Sequence, residues 1–116
     1  MTGEETFRNH LRVLLQGKEF NVSAFSNNRD AINYITRKRV DLILVDNSAE
    51  INSGIKFLKD LNRISKDYKV IILDKGGGID LYLEAKKLGA VEYVFRPFKT
   101  YELMGIISKV LNTKDT

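Results

Sequence analysis

Apolar residues along the chain alternate between two periods, one helical and one extended. Phe7, Leu11, Leu14 and Leu15 recur at helical spacing, so Glu4 to about Gln16 predicts an amphipathic helix that Gly17 ends. Phe20 to Phe25 reads as a short strand, with Val22 and Ala24 on one face. Ser26, Asn27 and Asn28 are N-cap candidates for a helix that carries Ala31, Ile32 and Ile35 and ends near Lys38. Val40 to Asp46 is a nearly continuous apolar run, too short for a helix and without alternation, which is the pattern of a strand buried on both faces. After a polar loop, Gly54 to Ile64 predicts a helix through Ile55, Leu58 and Leu61. Val70 to Leu73 is a second buried strand, and Asp74-Lys75-Gly76-Gly77-Gly78 a flexible loop. Ile79 to Leu88 predicts a helix with Gly89 as a left-handed cap, followed by a strand from Val91 to Phe95. Arg96-Pro97-Phe98 is a turn, and Thr100 caps a last helix through Leu103, Ile107 and Val110.

Strands that alternate with helices require parallel pairing through right-handed crossovers. The expected architecture is an open three-layer α/β sandwich with a parallel sheet. Sites in such sheets lie at the carboxyl ends of the strands, where Asp46, Asp74 and Arg96 fall.

Composition narrows the chemistry. A length of 116 residues predicts one domain spanning 1–116, and 43% hydrophobic with 29% charged residues is ordinary globular composition. With no cysteine, disulfides, thiolate metal sites and a cysteine nucleophile are excluded. His10 is the single histidine, and it reads as a helix-surface residue rather than a ligand or a relay base. No nucleophile–base pair stands out, so an enzyme is not expected. The net charge of +4 is spread out, and Arg37-Lys38-Arg39 reads as a solvated helix end, so no nucleic-acid footprint is expected. No apolar run approaches the ~18 residues of a membrane span, and the polar first residues carry no secretion signal. A cytoplasmic location is the expectation.

The segment Asp41-Leu42-Ile43-Leu44-Val45-Asp46, with Gly54 following, resembles the phosphoacceptor strand and loop of response-regulator receiver domains, the chemotaxis-regulator-like fold. Gly89-Ala90-Val91-Glu92-Tyr93-Val94-Phe95-Arg96-Pro97-Phe98, then Glu102-Leu103, resembles their last strand, Lys-Pro-Phe turn and final helix, and Phe7-Arg8, Leu11 and Leu15 fit their first helix. The resemblance covers essentially the whole chain. It implies a flavodoxin-like sandwich in which Asp46 accepts a phosphoryl group from the phosphohistidine of a histidine kinase. It further implies Mg²⁺ held beside Asp46 by an acidic pair, a cis bond before Pro97, and Asp74, Tyr93 and Arg96 as neighbours of the phosphate site.

Four departures bear on that implication. The family's first strand and its acidic pair are missing: the pair would fall at Thr2 and Gly3, and Glu4 and Glu5 are the nearest acids. Asp74 stands at the position of the switch Thr or Ser, Arg96 at that of the lysine, and Ala49-Glu50 at that of the usual Met-Pro. Asp46 and Tyr93 are retained. A chain beginning inside a longer protein is one explanation of the missing strand.

Two functions follow. One is a receiver phosphorylated at Asp46; the other is a pseudo-receiver that works by protein contacts, for which the lost acidic pair predicts weak Mg²⁺ binding and little stable phosphate. Asp74 and Arg96 either form an ion pair or both face solvent. Gly76-Gly77-Gly78 reads as a connector rather than a phosphate cradle. Phe95 reads as packing, while Tyr93 keeps a partner-surface role open. Without a central strand, the Val40–Val45 edge is expected to pair with Phe20–Phe25 or with a second chain. The stripes Phe7-Leu11-Leu14-Leu15 and Leu103-Ile107-Val110 would then be incompletely covered, which predicts a homodimer.

Overall fold

The computed structural model describes residues 1, 5–47, 53–65, 67–75 and 78–112. The elements run α1 (Glu5–Gln16), α2 (Asn28–Ile35), β1 (Ile43–Asp46), α3 (Ser53–Asn62), β2 (Val70–Asp74), α4 (Gly78–Lys87), β3 (Glu92–Phe95) and α5 (Thr100–Asn112). The strands form one parallel sheet in the order β1-β2-β3, with Val45 opposite Ile72 and Ile72 opposite Tyr93.

Strand alternation sorts the core into two layers. Ile43, Val45, Val70, Ile72 and Tyr93 face one side, where they pack against α2, α3 and α4 through Ile35, Phe57, Leu58, Leu61 and Ala85. Ile71, Leu73 and Val94 face the other side and pack against α1 and α5. All five residues of β2 are buried, as befits a central strand covered by helices on both faces. The local signals act as expected. The side chain of Asn27 accepts from the Asp30 amide at the start of α2. Gly89 ends α4 at φ +101°, a left-handed geometry that strains any residue with a Cβ.

Two expectations are corrected. Phe20–Phe25 is not a strand, and among the described residues the sheet has three strands, not four. This segment does not pair with β1; a cavity of about 1090 Å³ separates the two, lined by both. Met1 occupies one end of the β1 edge: its amino group donates to the carbonyl of Leu44, and its carbonyl accepts from the Asp46 amide at 2.8 Å. The second correction concerns the stripes. Phe7, Leu11, Leu15, Leu103, Ile107 and Val110 are all buried within the one chain, with Leu14 half-buried. They cover each other across β2 and β3, which removes the reason for a dimer packed through those helices. Among the described residues no helix is long and apolar enough to cross a membrane.

Candidate functional site

The three parallel strands deliver polar side chains to one end of the sheet. Asp46 is the last residue of β1 and Asp74 the last of β2; Arg96 follows β3 directly, after a cis Arg96–Pro97 bond. The ladder continues into the site: the Asn47 amide donates to the Leu73 carbonyl at 2.8 Å, and the Arg96 amide to the Asp74 carbonyl at 2.5 Å. The sequence-based expectation that Asp46, Asp74 and Arg96 meet here is met.

Their pairing differs from expectation. Arg96 Nη1 stands 3.8 Å from Asp46 Oδ2, so the guanidinium serves Asp46. Asp46 is 1% exposed, and such a charge requires a nearby counter-charge. The Arg96 guanidinium also lies 3.6 Å above the Phe7 ring centroid, and Phe7 in turn meets Phe98 edge-on at 6.3 Å. Asp74 is occupied otherwise. It accepts from the Tyr93 hydroxyl and from the Lys75 amide at 2.8 Å. The Tyr93 ring is fixed further by Tyr82 and Phe95, at 5.7 and 5.2 Å between centroids. Tyr93 is therefore buried, whereas Phe95, read as packing, is 49% exposed.

Burial raises the Tyr93 phenol far above its ordinary value of 10, and the hydrogen bond and negative charge of Asp74 push the same way. Asn47 opposes them weakly. A raised phenol means that the folded protein holds its proton more tightly than the unfolded chain does. Its contribution to stability is complete below about pH 10 and is lost as the pH rises above it. In a spectrophotometric alkaline titration, Tyr93 is expected to ionise only with unfolding. Ionisation of Tyr93 while the protein stays folded would refute this.

Sequence reasoning passed over Asn47. Its buried Oδ1 accepts from the Gly54 amide at 2.6 Å and ties the end of β1 to the start of α3. A Cβ on Gly54 would lie 2.9 Å from that oxygen and 3.0 Å from Asn47 Cβ. Gly54→Ala is expected to destabilise by about 1–3 kcal/mol in urea denaturation, because the clash falls on a buried, hydrogen-bonded side chain. Unchanged stability would show that the loop gives way freely.

The donor set does not suit a divalent cation among the described residues. Asp46 is paired with a guanidinium, Asp74 is engaged by a phenol, and Glu5 is exposed on the first turn of α1. No group of three or more acidic or histidine side chains is placed to hold an ion there. Thr2, Gly3, Glu4, Ala49, Glu50, Gly76 and Gly77 lie outside the described residues.

Carboxylates at the ends of adjacent parallel strands, between two helical layers and beside a cis-proline turn, define a receiver-type α/β sandwich. The chain belongs to the response regulator receiver domain family, whose sequence profile matches residues 3–108. Sporulation initiation phosphotransferase F of Bacillus subtilis is 31% identical over 109 residues, covering 90% of this chain and 87% of that protein. The transcriptional regulatory protein ZraR of Escherichia coli K12 is 28% identical over 101 residues, and the match spans 87% of this chain but 23% of ZraR. Among solved structures, a response regulator receiver domain protein from Clostridium thermocellum superposes with a TM-score of 0.86 at 26% identity, covering 96% of this chain and 90% of that one. The chemotaxis protein CheY4 of Vibrio cholerae shares the fold, with a TM-score of 0.86 at 22% identity over 94% of this chain and 92% of that one. The chain is thus a receiver domain of the two-component type.

Proposed function

We propose that this receiver signals through protein contacts, with Asp46 at the phosphoacceptor position neutralised by Arg96 in place of a metal ion. The Asp46–Arg96 ion pair carries this reading. A phosphoryl group arriving at Asp46 brings a dianion into a buried site where the guanidinium is already committed. The Asp74 carboxylate, where the family resemblance places a hydroxyl, adds negative charge close by and has no hydrogen to donate when ionised. Each of its oxygens already accepts a hydrogen bond, one from Tyr93 and one from Lys75, so Tyr93 is held in one place without any phosphoryl group. The partner on this reading is a histidine kinase or another signalling protein, which meets a fixed surface.

Incubation with acetyl phosphate and Mg²⁺, followed by intact mass measurement, tests this directly. The expected spectrum shows no stable gain of a phosphoryl mass. A stoichiometric gain abolished by Asp46→Ala would overturn the proposal. It would establish the second reading, phosphoacceptance at Asp46, which the residue's position at a buried strand end favours.

A further inference from the structure

At the end of the sheet opposite Asp46, the topology gathers the carboxyl ends of helices. Each crossover of a parallel sheet returns the chain to the amino ends of the strands, so α3 and α4 finish there, beside the first residues of β2 and β3. α2 finishes there too: the carbonyl of its last residue, Ile35, accepts from the Tyr68 hydroxyl at 3.2 Å, just before β2. Basic residues follow or close these helices. Arg37 and Lys38 come after α2, Arg63 after α3 and Lys87 at the end of α4, all of them exposed. A cation at a helix carboxyl end is favoured by the helix dipole on its own account, so the charges alone specify no ligand. A pocket between two of them does. It opens between the ends of α3 and α4, with a volume of about 110 Å³. Leu58, Leu61, Val70 and Leu88 supply its apolar lining, with Asn62 and Lys87 among its polar groups. Asn62 Nδ2 donates to the Leu88 carbonyl at 2.7 Å and ties the two helix ends together. Two exposed apolar residues add to this end. Ile64, between the lining residues Asn62 and Ser65, is 45% exposed, and Val91, whose amide donates to the Val70 carbonyl at 2.9 Å, is 39% exposed.

We propose that this pocket docks an acidic segment of a partner protein, with one branched aliphatic side chain in the pocket and neighbouring carboxylates against Arg63 and Lys87. Size selects the anchor. A cavity of roughly 150 Å³ accepts benzene, so about 110 Å³ suits a leucine or valine side chain. Charge selects its neighbours. Arg63 and Lys87 enter no ion pair among the described residues, whereas Lys59 faces Glu84 at 3.4 Å, Lys109 faces Glu92 at 3.8 Å, and Lys86 donates to the Val91 carbonyl at 2.8 Å. Asp67, exposed two residues past Ser65, repels a carboxylate docked on its side, so the acidic flanks belong beside Arg63 and Lys87. A protein segment fits better than other polyanions. Nucleic-acid bases stack on exposed aromatic rings, and Tyr68, the aromatic of the pocket lining, is half-buried with its hydroxyl donating to Ile35. An anionic membrane takes up a continuous apolar face, and this opening holds one side chain. The site lies at the far end of the sheet from Asp46, and the inference stands whether or not Asp46 is phosphorylated.

The test uses the peptide acetyl-Glu-Asp-Leu-Asp-Glu-amide, a version with alanine in place of the leucine, and a version with glutamine and asparagine in place of the four acids. Binding is followed by amide NMR of the full chain. The parent peptide is expected to bind saturably, with its largest shifts at Asn62, Ser65, Leu88 and Gly89. The alanine and the uncharged peptides are each expected to bind at least tenfold more weakly. Arg63→Glu combined with Lys87→Glu is expected to weaken the parent peptide at least tenfold. Lys99→Glu, exposed at the other end of the sheet, is expected to change it less than twofold. All three substitutions fall on exposed residues, and circular dichroism checks that each variant is folded. Equal affinities for the leucine and alanine peptides would overturn the proposal, as would equal losses in the two charge variants or no saturable shift up to millimolar peptide. So would tighter binding of a single-stranded oligonucleotide or of phosphatidylserine vesicles that depends on Arg63 and Lys87, which would assign this end to another polyanion.

Discussion

Leu103→Ala is expected to lower the unfolding free energy by about 2–5 kcal/mol, a large part of the roughly 5–15 kcal/mol that holds a domain of this size together. Leu103 is fully buried on α5, within the layer formed by Phe7, Ile71, Leu73 and Val94. Its loss removes apolar contact and leaves a void that two helices and the sheet cannot fill without moving. Equilibrium urea denaturation should show a lower midpoint with an unchanged slope. Ile79→Ala serves as the control: Ile79 is 71% exposed, and the change should stay within about 0.5 kcal/mol. Similar losses for both variants would mean that the α1–α5 layer is not the packed layer described.

Arg96→Ala is expected to cost about 2–3 kcal/mol, less than the full penalty for orphaning a buried charge because Arg96 is itself partly solvated. Two effects combine. Asp46 keeps its carboxylate in a buried position without the guanidinium, and Phe7 loses the cation stacked on its ring. At about 4 °C per kcal/mol the melting temperature should fall by roughly 10 °C. The cause can be isolated with a double-mutant cycle. In an Asp46→Asn background, Arg96→Ala should cost only the stacking part, under about 1 kcal/mol. Equal costs in both backgrounds would show that the ion pair contributes nothing, and the reading of Asp46 as neutralised by Arg96 would fall with it.

Much of the site was legible because it depends on strand ends. The runs Val40–Asp46 and Val70–Leu73 are too short and too apolar to be anything but doubly buried strands, and that alone brings Asp46 and Asp74 side by side. Which acid Arg96 would choose was not legible. That choice depends on the Tyr93 hydroxyl, which occupies Asp74 and leaves Asp46 to the guanidinium, and on Phe7, whose place in the helical stripe gave no sign that it would support a cation. The strand expected at Phe20–Phe25 failed for another reason. Its composition suits a strand, but a strand exists only by its partner, and among the described residues none pairs with this segment. The Asn47–Gly54 link was readable in principle as an Asx side chain followed by a glycine at the next helix start, a signal too common to single out.

The layer that joins α1 to α5 also sets a timetable for synthesis. Residues 7–15 leave the ribosome well before residues 103–110, yet each is the other's cover. At about 5–20 residues per second, the amphipathic face of the first helix waits several seconds before the final helix can close over it. The opposite layer, assembled from α2, α3 and α4, has its parts in hand earlier. The nascent chain therefore passes through a stage with one finished side and one sticky side, when it depends most on chaperones, and a ribosome stalled before residue 103 would display that unfinished face.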